Sequence, residues 1–176
     1  MRIGVFCSGG DAPGMNACVM AVVRAANHQG HQVVGIKRGY QGLLEEDFFL
    51  NSAGQPILTV RRASIWSHFG GAFLRSSRSD ELRTESGQQK AAEILRRHGI
   101  DGLIAIGGDG TFQGAVALSQ FWDGQIVGCP GTIDNDLVGT DYTIGFSTAV
   151  QTAVDAVDKI RDTAWSHDRM FLVEVM

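Results

Sequence analysis

The stretch IDGLIAIGGDGT, residues 100–111, decides how this chain folds. Ile100–Ile106 is an apolar run of strand length, and Gly107-Gly108 ends it. Phe112–Phe121 follows with a helical pattern, so the segment reads as strand, glycine turn and helix. The same grammar holds on either side. Ile3–Cys7 is an apolar strand ending in Ser8-Gly9-Gly10, and a helix follows from about Pro13 or Asn16 to Gln29, where Gly30 stops it. Gln32–Ile36 reads as a second strand, Gln88–His98 as a helix stopped by Gly99, and Gln125–Cys129 as another strand. Ser147 is placed to cap a long helix that carries Val150, Ala153, Val154, Val157, Ile160 and Ala164 at 3.6 spacing. Phe171–Val175 is expected to begin a last strand. Between residues 38 and 85 the pattern is weak, with one short strand expected at Ile57–Val60; a stretch this long without clear elements is usually functional loop.

Alternating strands and helices with nearly continuous apolar strands predict an α/β fold. Its expected form is a three-layer, open, mostly parallel sheet with helices on both faces. In such sheets ligands bind beyond the C-terminal ends of the strands. Composition narrows the function. The 176 residues are 44% hydrophobic, enough for a packed core. Net charge is −4, from 15 Lys+Arg against 19 Asp+Glu, which argues against a nucleic-acid-binding domain. No apolar run approaches the roughly 18 residues of a membrane span. Cys7, Cys18 and Cys129 are odd in number and lack Cys-x-x-Cys spacing, so neither a disulfide framework nor a zinc site is expected and a cytoplasmic setting fits. Glycine, 23 residues, is nearly twice as frequent as the usual value of about 7%.

Three of the glycine-rich loops carry chemistry. In the first, Gly9 to Asn16, small residues let backbone amides approach an anion at a helix N-terminus. Gly9 and Gly14 have P-loop spacing, but Met15-Asn16 replaces the required Lys-Ser/Thr, which rejects a Walker site. In the second, Gly107 to Thr111, Asp109 sits inside a phosphate-shaped loop, and a divalent cation would reconcile it with phosphate; a helix N-cap is the other reading. In the third, Pro130 to Asp136, an extended backbone would point Asp134 and Asp136 to one side, which suits activation of an attacking hydroxyl; an Asx turn is the other reading. Arg75, Arg78 and Arg83 fit either phosphate binding or a solvated loop.

Taken together, Ser8–Asn16, Gly107–Thr111 and Pro130–Asp136 resemble the three signature loops of the 6-phosphofructokinases, in the same order. Gly139–Phe146 and Val173–Met176 extend the likeness, which runs from Ile3 to the end of the chain. The resemblance implies a Rossmann-like phosphofructokinase fold, incomplete here, and phosphoryl transfer from ATP-Mg²⁺ to the 1-hydroxyl of fructose 6-phosphate. It implies Asp134 as catalytic base and Asp109 as the magnesium-binding aspartate. Gly10, Tyr40, Arg78, Gly108, Gly110 and Thr111 match positions around the nucleotide phosphates. Thr132 and Asp136 match residues near the transferred phosphoryl group. Arg169 and Met176 match sugar-phosphate contacts, Arg169 reaching a neighbouring subunit of a homotetramer. Pyrophosphate users of the family tend to carry Asp at the position of Gly110 and Lys at that of Gly131, so both glycines favour ATP. Met20 and Phe69 stand where many effector-regulated bacterial members have arginine, while Arg24 keeps its match. Residues 1–138 would be the nucleotide domain and 139–176 the start of the sugar-phosphate domain, so the chain is expected to be an N-terminal half, inactive alone. A pyrophosphate-dependent phosphotransferase and a non-catalytic nucleotide- or phosphosugar-binding module remain as alternatives.

Overall fold

The computed structural model describes residues 1–175. Five parallel strands form one sheet in the order β2-β1-β3-β4-β5: β1 Arg2–Cys7, β2 Gln32–Gly35, β3 Gly102–Gly107, β4 Gln125–Thr132 and β5 Ile144–Gly145. Side chains alternate across the two central strands, as strand geometry requires. Phe6, Leu103 and Ala105 face one core, and Val5, Cys7 and Ile106 the other. The first core is roofed by α2 Gly39–Leu44, α4 Glu85–Arg97 and α5 Asp109–Leu118. The second is roofed by α1 Met15–His28, on which α3 Val60–Trp66 packs. Phe6, Leu43, Leu95, Leu103 and Ile106 are fully buried, and truncating such a side chain costs about 2–5 kcal/mol. The three-layer parallel α/β architecture expected from the sequence is therefore the one observed.

Chain order runs one way from β1 to β2 and the other way from β3 to β5. The switch between β1 and β3 opens a crevice at their C-terminal ends, where parallel sheets bind ligands. Both strands end there in glycine loops, and Ser8 N–H bonds Ile106 O at 3.0 Å to hold the two ends together.

The weak middle region is ordered by contacts distant in sequence. Asn16 is buried in α1; its amide donates to Phe69 O and Gly70 O, and its oxygen accepts from Phe73 N–H at 2.8 Å. Leu74 O accepts from Arg38 N–H, Ser76 Oγ donates to Gly9 O at 2.6 Å, and Ser77 Oγ donates to Arg38 O at 2.8 Å. Residues 69–79 are thereby laced along the first glycine loop.

Three expectations about elements are corrected. Ile57–Val60 is no strand: Leu58 makes a single backbone bond to Val33 O, and Val60 already starts α3 under a Thr59 cap. Phe171–Val175 is not a strand either: among the described residues no strand pairs with it, and Met176 lies outside the described residues. The long helix, α6 Phe146–Ser166, is capped by Gly145 and not by Ser147. Gly145 has φ 107°, and a Cβ there would sit 2.7 Å from Ala12 Cβ, so glycine is required by both conformation and space. The apolar positions of α6 do not form a core contact: none of its residues is buried. Among the described residues, no helix is long and apolar enough to cross a membrane.

Candidate active site

The crevice is a cleft of about 840 Å³ lined from all three loops. Gly10, Tyr40, Arg78, Gly108, Asp109, Gly110, Thr111, Thr132, Asp134 and Asp136 all line it, as do Asp11 and Arg83. Arg169 does not; it follows α6, exposed, its N–H bonded to Ala164 O. Met176 lies outside the described residues.

The first loop enters α1 through Gly14, at φ 94° with no side-chain cap. The first turn of α1 therefore keeps amides free of a capping side chain at the cleft end of the sheet. Gly9 and Gly10 leave the loop backbone open, since a Cβ at Gly10 would meet nothing within 4 Å.

The second loop enters α5 through Gly108, again with no side-chain cap. Asp109 is thus the first residue of the helix and not its cap. Its exposed carboxylate accepts from Gln113 Nε2 at 2.6 Å, one turn on. Gly110 faces open space, with nothing within 4 Å of a Cβ built there. Gly107 is closed: a Cβ would strike Thr111 Oγ1 and the Ser8 carbonyl. That closeness lets the buried Thr111 hydroxyl donate to Ser8 O at 3.0 Å and tie the first loop to the second. Tyr40 adds a second strut, its phenol donating to Thr111 O at 2.7 Å. Burial pushes the Tyr40 phenol well above its ordinary range, so it stays protonated and keeps donating.

The third loop is bent where extension was expected. Asn135 takes φ 50°, and its side-chain oxygen accepts from Thr143 N–H at 2.9 Å. Thr143, buried, donates its hydroxyl to Thr132 O at 2.6 Å, and Thr132 Oγ1 accepts from Asp134 N–H at 3.2 Å. Asn135 turns away from the cleft to make these bonds, leaving Asp134 and Asp136 exposed along its wall. Gly131 has its absent side chain directed at the core: a Cβ would sit 3.1 Å from Ile106 Cγ2 and 3.4 Å from Met15 Cε.

Arg78 reaches the cleft because residues 74–79 are laced to Arg38 and Gly9, and Ser79 Oγ donates to Gln41 Oε1 at 2.9 Å. Of the three arginines read together from the sequence, Arg78 and Arg83 line the cleft and Arg75 does not. Gln88 and Gln113 also line it. Gln113 was legible from its i+4 spacing to Asp109, whereas Gln88 has no local signal. Among the described residues no group of three or more His, Cys, Asp or Glu side chains is arranged as a metal cage. The carboxylates at the cleft instead suit a hard cation that takes one protein oxygen and completes its shell from phosphates and water.

The family model described as "Phosphofructokinase" matches residues 2–176. The chain is 55% identical to the ATP-dependent 6-phosphofructokinase of Streptococcus mutans, covering 99% of this chain and 50% of that protein. It is 54% identical to ATP-dependent 6-phosphofructokinase 1 of Thermus thermophilus, covering 99% of this chain and 52% of the relative. Phosphofructokinase from Saccharomyces cerevisiae superposes with a TM-score of 0.85 at 37% identity, over 99% of this chain and 26% of that one. The chain spans about half the length of the curated relatives it matches. With three glycine loops at one switch point and a family match along nearly all of its length, the chain belongs to the phosphofructokinase family.

Proposed function

We propose that this chain supplies the nucleotide side of an ATP-dependent 6-phosphofructokinase, which transfers the γ-phosphoryl group of ATP to the 1-hydroxyl of fructose 6-phosphate. The observation that carries this reading is the convergence of three loops, from β1, β3 and β4, on one cleft with open space at Gly110. Catalysis of this kind is mostly positioning and electrostatics. The first loop and the Gly108–Thr111 turn receive the phosphates on backbone amides, with Arg78 as the cationic side chain. Asp134 accepts the proton of the acceptor hydroxyl as it attacks, and Asp136 and Thr132 hold the wall beside the transferred group. Asp109 is the carboxylate that would hold Mg²⁺, whose chemistry when bound is to neutralise phosphate charge. Arg169, outside the cleft, serves the sugar phosphate of a neighbouring subunit in a tetramer.

The test is a donor swap on the protein at its natural length. With fructose 6-phosphate and Mg²⁺, ³¹P NMR should detect fructose 1,6-bisphosphate with ATP and far less with pyrophosphate. Faster reaction with pyrophosphate would transfer the assignment to a pyrophosphate-dependent enzyme. Nucleotide binding in calorimetry without product from either donor would leave a binding module.

A further inference from the structure

The fold gathers the three cysteines, scattered in sequence, onto the core beneath α1. Cys7 ends β1, Cys129 lies on β4, and Ile106 of β3 pairs with both in the sheet register. Cys18 comes from the helix above. The spacing between α1 and β4 is fixed nearby, where the Cβ direction of Gly131 meets Met15 at 3.4 Å. Two residues back along β4 the side chain of Cys129 returns to this face, and one turn further along α1 Cys18 follows Met15 on the same side. Cys18 and Cys129 therefore come together across the α1–β4 contact, both packed against the core beneath α1. All three cysteines are free; Cys18 and Cys129 are half-buried, whereas Cys7 is wholly enclosed.

We propose that Cys18 and Cys129 form a reversible dithiol–disulfide pair that hydroperoxides oxidise, cross-linking α1 to β4 directly behind the first and third loops of the cleft. The Cys129 thiolate attacks one oxygen of ROOH, giving a sulfenic acid and an alkoxide that takes up a proton to leave as ROH. The Cys18 sulfur then displaces the sulfenic hydroxyl; the S–S bond forms, and that hydroxyl leaves as water with the Cys18 proton. The two thiols together lose two electrons and the peroxide gains them. The acidities suit these roles. The neighbouring Cys18 thiol holds the Cys129 thiol below its ordinary range against the opposing effect of burial, and Cys129 in turn holds Cys18 protonated. Burial pushes Cys7 up to about 12, which keeps it inert. The readout is independent of whether the cleft uses ATP.

The test uses the reduced protein at natural length, treated with hydrogen peroxide, alkylated with iodoacetamide, digested and mapped by mass spectrometry. The proposal expects a Cys18–Cys129 peptide pair two hydrogens lighter than the sum of its parts, released by dithiothreitol. Cys7→Ser should cross-link as the parent does. Cys18→Ser should lose the cross-link entirely and leave a Cys129 sulfenic acid that dimedone traps. Without any variant, alkylation of Cys129 should titrate at lower pH than that of an ordinary thiol and exceed that of Cys7 by at least about tenfold at neutral pH. Recovery of Cys18 and Cys129 as separately alkylated peptides after peroxide, or a cross-link through Cys7, would overturn the pair.

Discussion

Gly107 and Gly110 stand three positions apart and answer to opposite constraints. At Gly107 a methyl group would enter the space that brings Thr111 to Ser8, and one of its obstacles is backbone. Gly107→Ala should therefore cost about 1–3 kcal/mol in urea unfolding, the usual penalty for forcing atoms into a packed site. A midpoint equal to that of the parent would mean that the two loops are not tied as described. At Gly110 space is open, and in the proposed enzyme the constraint lies in the nucleotide. Gly110→Asp should fold normally but lower kcat/KM for ATP more than for pyrophosphate, because the carboxylate crowds and repels the α-phosphate. An unchanged donor ratio would remove the steric argument. The glycines were legible in the sequence because turns and close approaches demand them. The struts were not. Tyr40 and Thr111 were read as phosphate neighbours, yet their hydroxyls are occupied by carbonyls 71 and 103 positions away, contacts that no local pattern encodes.

Strands survive the passage from sequence to structure better than short helices do. The apolar runs behind β1 and β3 were legible because a central parallel strand is buried on both faces; those behind the edge strand β2 and the half-exposed β4 were legible as short apolar runs bounded by turn residues. β4 runs on through Pro130 to Thr132, further than expected, since pairing with β5 begins only at Gly131 and Pro130 has a neighbour on one side alone. By contrast α2 and α3 span six and seven residues, too few for periodicity to register. α2 also starts from Arg38 at φ 57° in a glycine-rich run of poor helix propensity. Ion pairs replace propensity there: Asp47 meets Lys37 Nζ at 2.5 Å and Arg38 Nε at 2.9 Å. Lys37 first, then Arg38, holds the Asp47 carboxyl below its ordinary range. The folded value is thus below the unfolded one, so the stabilisation is full above about pH 3.9 and fades as pH falls through the folded value. Asp47→Asn should lose up to about 1 kcal/mol at pH 7, the partly exposed pair limiting the effect. The gap from the parent should close in acid as pH falls through the lowered folded value of Asp47. A gap that persists there would place the contribution outside the charge.

At the scale of the molecule, strand order turns three distant loops into one site. The sequence located β1 to β4, though not the last three residues of β4 or the two-residue β5, and it carried no signal for the order β2-β1-β3-β4-β5, which depends on nonlocal pairing. Loops after β1, β3 and β4 become neighbours only because β3 lies between the other two. α6 stands apart from this core with no buried residue, so its apolar periodicity marked a helix correctly without locating a packing partner. In the proposed enzyme the cleft so formed performs phosphoryl transfer, with Asp134 acting on the acceptor and the other two loops on the donor. Turnover and nucleotide affinity of Asp134→Asn, measured side by side in the protein at natural length, test it most directly. Loss of a general base should lower kcat for fructose 1,6-bisphosphate formation by about 10²–10⁴-fold. The dissociation constant for ATP-Mg²⁺ should stay within a few-fold of the parent. A variant that turns over within a few-fold of the parent, or one that loses nucleotide binding together with turnover, would contradict this assignment of Asp134.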